Sequence, residues 1–218
     1  MTKVRPAPGG GRLVEVEPER LPRWVERFAE RNGGIAAHRA DGEAWTIESN
    51  DGAEASVRWA LASGIPPEWL LDDDPVKAAE RLRDRALEPR RLGVLLARKG
   101  AYSVGVVAGG RIESSKTDTA YVQGKTKAGG QSQQRFARRR EGQAKAAGKR
   151  AAEAAAAVLA NADLDALVTG GVVDAILDDP RLRHLTPSVH FGDIAEPKQA
   201  LLQATAHRAI GFTVHIPD

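Results

Sequence analysis

From Ser132 to Leu159 the chain reads as one uninterrupted helix, and no other stretch restricts the fold as strongly. At 1.5 Å per residue such a helix is roughly 40 Å long. Its later half is rich in alanine, with Ala144, Ala147, Ala151, Ala154 and Val158 at helical spacing. A face of small residues lets a helix lie close against a sheet.

The runs on either side of this helix supply the sheet. Leu92 to Ala97, Tyr102 to Val107 and a third segment from Arg111 are joined by turns at Lys99-Gly100 and Gly109-Gly110, the pattern of a β-meander. After the helix come two strand and helix pairs, Ala166 to Thr169 with Val172 to Leu177 and Ser188 to Phe191 with Pro197 to Arg208. A last strand, Phe212 to Ile216, ends the chain. A meander followed by alternating units predicts an α/β or α+β layer fold with a mixed sheet.

The N-terminal part follows a different pattern. Leu13 to Val16 alternates like a strand, and Leu21, Trp24, Val25 and Phe28 then form one apolar helical stripe. Trp24 and Phe28 are read as core residues rather than as a platform for stacked bases. Three strand-like runs follow, Ile35 to Arg39, Ala44 to Ile47 and Ala55 to Trp59. Asp41-Gly42 and Asp51-Gly52 break them, pairs that tolerate positive φ in tight hairpins. Residues 1–62 therefore read as a small βαβββ module. Residues 63–91 contain Pro66-Pro67, the acidic Asp72-Asp73-Asp74, and Pro75 opening a short helix with Asp74 as its N-cap. They are expected to link this module to a second domain spanning 92–218.

Composition removes several chemistries. The chain has no cysteine, which excludes disulfides, thiolate zinc sites and a cysteine nucleophile. It shows neither a signal peptide nor a run of about 18 apolar residues, so a cytoplasmic protein without membrane contact is expected. His190 with Asp193, and His207 with Arg208, lack the spacing of a metal or triad site. No metal or cofactor is expected. Gly124-Lys125-Thr126 has the end of a phosphate-binding loop, but its required earlier glycine is replaced by Thr119, which sets nucleotide hydrolysis aside.

Charge points to a different partner. Between Tyr121 and Arg150 lie nine cations and one anion, Glu141; this stretch carries +8 while the rest of the chain carries −5. A single-sign stretch in an otherwise acidic protein suits a phosphate-rich partner, whereas a solvated helix face usually mixes signs. Gly129 and Gly130 allow a close backbone approach to a ligand, and the free N–H groups of the helix that follows attract anions or developing oxyanions. Arg135, Arg138, Arg139 and Arg140 sit in the first turns, where cations oppose the helix dipole by about a few tenths of a kcal/mol each. A purely structural helix gains nothing from that placement; a helix entering an RNA-lined cavity does.

Gly129-Gly130-Gln131, then Ser132 and a helix beginning Gln133-Gln134-Arg135-Phe136-Ala137-Arg138-Arg139-Arg140-Glu141, resembles the catalytic domain of archaeal and eukaryotic class I release factors. Within that group it is similar to the actinobacterial branch of the Vms-like release factors, peptidyl-tRNA hydrolases related to the eukaryotic enzymes of ribosome quality control. The resemblance runs from about Leu92 to Ile216. It implies a mixed-sheet fold like the middle domain of those factors, related to ribonuclease H, beside the small N-terminal βαβββ domain. It also implies roles: Gly129 and Gly130 shape the loop, and Gln131 sits against the terminal adenosine of the peptidyl-tRNA CCA end in the peptidyl-transferase centre of the large ribosomal subunit. Lys125, Lys127, Ser132, Arg135, Arg138, Arg139 and Arg140 are then expected to contact ribosomal or tRNA phosphates.

Departures from the family narrow the expectation. The N-terminal module carries no recognisable decoding motif, little follows Ile216, and without cysteine there is no zinc finger. The resemblance then implies codon-independent hydrolysis of peptidyl-tRNA on stalled ribosomes or on 50S subunits. Two alternatives remain open. An endonuclease acting on the tRNA 3′ end would need clustered carboxylates, and Asp118 is the only acid near the basic loop. A non-catalytic ribosome-binding module would need the arginines but not Gln131.

Overall fold

The computed structural model describes residues 3–61, 65–70, 74–98, 100–119 and 131–218, except for the side chains of 3, 67, 69, 131–141 and 144. It divides into two units, Met1–Glu88 with His207–Asp218, and Pro89–Ala206.

In the first unit, alternating sequences make β1 (Lys3–Pro6), β2 (Arg12–Val16), β3 (Ile35–Ala40), β4 (Trp45–Ser49) and β5 (Glu54–Trp59), with α1 (Leu21–Arg31) after β2. Both expected hairpins form. At the first, Asp41 Oδ1 accepts the N–H groups of Glu43 and Ala44 at 2.9 Å each, and Gly42 takes φ +94°. The sheet is antiparallel throughout, in the order β1-β2-β11-β5-β4-β3, where β11 is the chain's final strand, Phe212–Ile216. Its apolar face, including Trp45, Ile47, Val57 and Val214, is covered by Leu21, Val25 and Phe28 of α1. Trp24 stacks on the buried Phe28 with ring centroids 5.5 Å apart, which places the pair in the core as expected.

Two segments lie elsewhere than their sequence suggested. The expected linker contains α2 (Pro75–Leu87), whose Ala78, Ala79, Leu82 and Ala86 are buried in the first unit's core. Its start is as expected, with Asp74 Oδ1 accepting from Val76 N at 2.9 Å and Lys77 N at 3.4 Å. The helix is a layer of the unit because its small residues recur on one face, and the sheet needs that cover. β11 was expected at the end of the second domain, yet it pairs with β2 and β5 in the first unit. Phe212 and Val214 point into that core, and Trp59 Nε1 donates to Ile210 O at 3.0 Å just before the strand.

The second unit contains β6 (Arg91–Arg98), β7 (Ala101–Ala108), β8 (Arg111–Thr119), α3 (Gln131–Leu159), β9 (Ala166–Gly171), α4 (Asp174–Leu177) and β10 (Pro187–Phe191). α5 (Gln199–Ala209) follows, its last residues being counted with the first unit. The sheet runs β10-β9-β6-β7-β8; β6, β7 and β8 form the antiparallel meander, and β9 is parallel to both β6 and β10. This is the expected mixed sheet of an α+β layer fold. The helix expected from Val172 begins at Asp174 instead, because Gly171 turns with φ +76° and Val172 N still donates to Ala97 O at 2.9 Å. α3 covers one face through Ala151, Ala154, Ala155 and Leu159, against Leu95, Val104, Val106 and Leu167. α5 covers the other, where Gln199 Nε2 donates to Ser115 Oγ at 3.0 Å and Leu202 fills the space left by the missing Cβ of Gly105.

Candidate functional site

The candidate site is built on α3 and on the strand before it. α3 begins at Gln131, one residue before the start expected from sequence, and runs for 29 residues, about 44 Å at the usual helical rise. Lys125, Lys127, Gly129 and Gly130 lie outside the described residues. So do the side chains of Gln131, Ser132, Arg135, Arg138, Arg139 and Arg140, whose helical backbone is described.

What the structure adds is the level at which the helix leaves the sheet. β8 runs parallel to β6 and ends at Thr119, and α3 returns along the sheet in the opposite direction. Asp118, one residue from the end of β8, lies 3.8 Å from Arg150 Nε through its Oδ2. Tyr102 is the register partner of Asp118 on β7. On the helix, Lys149 Nζ is 3.9 Å from Glu153 Oε1. Among the described side chains of α3, Ala147 is the first that is buried, and Gly142, Lys145, Ala146 and Lys149 are exposed. From Ala147 to Leu159 the helix packs on the sheet, and Gln143, one turn earlier, is half-buried with its Oε1 covered. Gln131 lies nineteen residues before Arg150, about 28 Å along the axis from the carboxyl end of β8.

Tyr102 is partly buried against the core under α3. Burial pushes its phenol pKa up; the nearby carboxylate of Asp118 adds to the rise and the Arg150 guanidinium offsets part of it. Below it, Ser103 Oγ and Thr117 Oγ1 share a hydrogen bond of 2.6 Å that ties β7 to β8 on the opposite face. Tyr102, Arg150 and Glu153 were not singled out from sequence. Asp118 stood out only as a lone acid near a basic loop, and its pairing with a residue 32 positions later has no local signal.

The remaining candidates from sequence are separate from this place. His190 Nδ1 shares a hydrogen bond with Thr169 Oγ1 at 3.0 Å on β10 and β9, and His207 Nε2 lies 3.7 Å from Glu19 Oε2 in the first unit. Asp118, the acid considered for metal-dependent cleavage, faces a guanidinium rather than a second carboxylate. Among the described residues no three His, Asp or Glu side chains gather closely enough to hold a metal ion, and no helix is long and apolar enough to cross a membrane.

A meander, a long helix rooted on it by alanines and two further strand and helix units make the second unit a mixed-sheet α+β domain of the release-factor type. The family model for the Actinobacteria/chloroflexi VLRF1 release factor matches residues 90–215, more than half of the chain, and the chain belongs to that family. It is also similar to peptide chain release factor subunit 1 of Thermococcus onnurineus (strain NA1), with 31% identity over 133 residues, 57% of this chain. The matched stretch spans 31% of that protein's length.

Proposed function

We propose that the chain hydrolyses the ester of peptidyl-tRNA in the peptidyl-transferase centre of the large ribosomal subunit, without reading a codon, and so frees nascent chains from stalled ribosomes or 50S subunits. The observation that carries this reading is α3, which starts at Gln131 about 28 Å before it meets the end of β8. A residue such as Gln131 at the start of so long a helix is suited to a deep, RNA-lined cavity. The net charge of +8 on residues 121–150 supplies the attraction. Membership of a release-factor family supports the reaction class.

The chemistry asks little of the chain beyond placement. Water attacks the ester carbonyl, a carbon–oxygen bond forms, the bond to the ribose oxygen breaks, and that oxygen leaves with a proton passed through the tRNA ribose hydroxyl. Negative charge builds on the carbonyl oxygen, and a pre-positioned backbone N–H beside Gly130 and Gln131 stabilises it by about 3 kcal/mol. The Gln131 amide orders the water and excludes larger nucleophiles; a neutral amide is no useful general base near pH 7. Gly129 and Gly130 permit the close approach, and Lys125, Lys127, Ser132, Arg135, Arg138, Arg139 and Arg140 engage phosphates.

The test is release of labelled peptide from peptidyl-tRNA on stalled 70S and isolated 50S particles, comparing the natural protein with Gln131→Ala at matched occupancy. The expected result is peptide release with intact tRNA, slowed by about 10²-fold or more in the variant. Equal release by both proteins removes the role given to Gln131. Cut tRNA, or binding without release by the natural protein, replaces the hydrolase reading with the nuclease or the binding module.

A further inference from the structure

We propose that Tyr102, Asp118 and Arg150 form a clamp at the root of the arm that sets the direction of α3, making them positioning residues for Gln131. The consequence for hydrolysis rests on the function proposed above; the consequence for the direction of the arm does not.

The argument starts with what holds the helix below this point. The packed face of α3 is largely alanine, with Ala151, Ala154 and Ala155 buried against the sheet. Each contributes one methyl group, whereas a buried leucine makes about 40–60 atom contacts. Alanines bring the helix close but offer shallow ridges, and interlocking ridges are what resist rocking of a packed helix. Among the described side chains, the Arg150 to Asp118 pair, 3.8 Å at the carboxyl end of β8, ties α3 sideways to the end of the sheet. Tyr102 fills the corner beneath, packed against the same core and opposite Asp118 in the ladder. The electrostatic influence of Asp118, Arg150 and Glu153 on its phenol places all four groups in one cluster. Lys149 pairs with Glu153 on the helix itself, so that contact cannot act as a tether between helix and sheet.

Position gives the clamp leverage. A tilt of about 5° at Arg150 moves a point about 28 Å along the helix by about 2.4 Å. Displacements of about 1 Å at a reacting centre can cost about 10²-fold in rate. The side chains of Arg150 and Asp118 are 52% and 48% exposed, and half-exposed pairs contribute little to overall stability. Losing the pair should therefore leave the domain folded while its arm points elsewhere.

The experiment reads direction and activity separately. The natural chain has no cysteine, so Gly142→Cys and Arg183→Cys, both exposed in the second unit, provide two spin-label sites without further changes. Electron–electron distance distributions are compared for the otherwise natural chain, Asp118→Ala, Arg150→Ala, and the reversed pair Asp118→Arg with Arg150→Asp. In parallel, peptide release is measured at saturating protein together with the concentration giving half-maximal release.

Each single substitution is expected to shift or broaden the distribution and to lower the saturating rate by about two- to fivefold, with the half-maximal concentration unchanged. The reversed pair is expected to restore both. Distributions that stay unchanged in both single variants overturn the clamp, whatever the release rates. A displaced arm with undiminished release overturns the positioning role. A single variant that unfolds assigns the pair to stability and also overturns the proposal. If the natural protein releases no peptide, the hydrolase reading falls, and the distance distributions alone decide whether the clamp directs the arm.

Discussion

Arg208 and Glu15 meet fork to fork across 193 residues of chain: Arg208 Nε donates to Glu15 Oε2 at 2.8 Å, and Nη2 donates to Oε1 at 2.5 Å. Both side chains are largely covered, 30% and 20% exposed. The pair fastens the end of α5 to β2 within the first unit. Planar two-point contacts of this kind belong to the stronger charge-assisted hydrogen bonds. Arg208→Ala should lower stability by about 1–3 kcal/mol, seen as a fall of several degrees in Tm. Arg208→Lys should recover only part of the loss, because an ammonium cannot reproduce the fork.

The same unit depends on a strand from the far end of the chain. β11 lies between β2 and β5 and buries Phe212 and Val214, side chains worth about 1.5–3 kcal/mol each when fully buried. Removing residues 211–218 takes away this apolar surface and leaves β2 and β5 without their shared partner. All four tryptophans, at positions 24, 45, 59 and 69, fall in Met1–Glu88. Tryptophan emission therefore reports on this unit, and the truncated chain should show a red shift and lose cooperative unfolding by that probe. Retention of both would show that the ladder tolerates the gap.

β11 also shows where sequence reading stops. Features that depend on neighbours within a few residues were legible: the Asp74 cap, the hairpins at Asp41-Gly42 and Asp51-Gly52, the meander from Leu92, and the long helix with its alanine face. The alternation of Phe212, Val214 and Ile216 identifies a strand but carries no mark of which sheet receives it. α2 reads as part of a linker because Pro66-Pro67 and the acidic Asp72-Asp73-Asp74 precede it, and its mostly alanine apolar face is a weak signal until a sheet is known to need cover. The candidate tripeptide was legible as a motif, whereas Arg150 could be linked to Asp118 only after the return direction of α3 was known.

Asp179 offers a check on local electrostatics in the second unit. Its carboxylate accepts from Arg181 Nε at 2.9 Å and Nη2 at 2.7 Å, and from the Arg181 backbone N–H at 3.0 Å. The side-chain hydrogen bond from Arg181 and then the backbone N–H hold its pKa at about 2, below the ordinary 3.8. A depressed carboxylate pKa stabilises the folded state above the ordinary value, and that contribution is lost as pH falls from 3.8 to about 2. Carboxyl-carbon NMR should find Asp179 titrating near the lower value in the natural protein. Arg181→Ala should move it toward the higher one.

Under the proposed function, phosphate binding and catalysis should separate. Affinity for ribosomal particles should fall linearly on a logarithmic salt axis, with the slope reduced by about 0.7–0.9 for each phosphate-contacting cation removed. Substituting Lys125, Lys127 or Arg135 by glutamine should flatten the slope in this way. Gln131→Ala should leave it unchanged while slowing release by about 10²-fold or more. A slope that does not respond to the three cations would remove them from the binding surface.

The second unit has one backbone position where a methyl group should be intolerable. Gly171, at the end of β9, has φ +76°, and a Cβ there would lie 2.1 Å from Ala97 O. That carbonyl already accepts Val172 N at 2.9 Å at the end of β6, so it cannot retreat without releasing the contact. Conformational strain and the clash together should make Gly171→Ala cost about 2–4 kcal/mol. Amide exchange in β6 and β9, where it proceeds by opening of this sheet, should then accelerate by about 30- to 1000-fold. Gly192 is the matched control: it lies near the end of β10, has no positive φ, and a Cβ there meets nothing within 4 Å. Gly192→Ala should leave exchange unchanged within a few-fold. Equal acceleration by the two substitutions would mean that the close approach of Gly171 to Ala97 does not limit this end of the sheet.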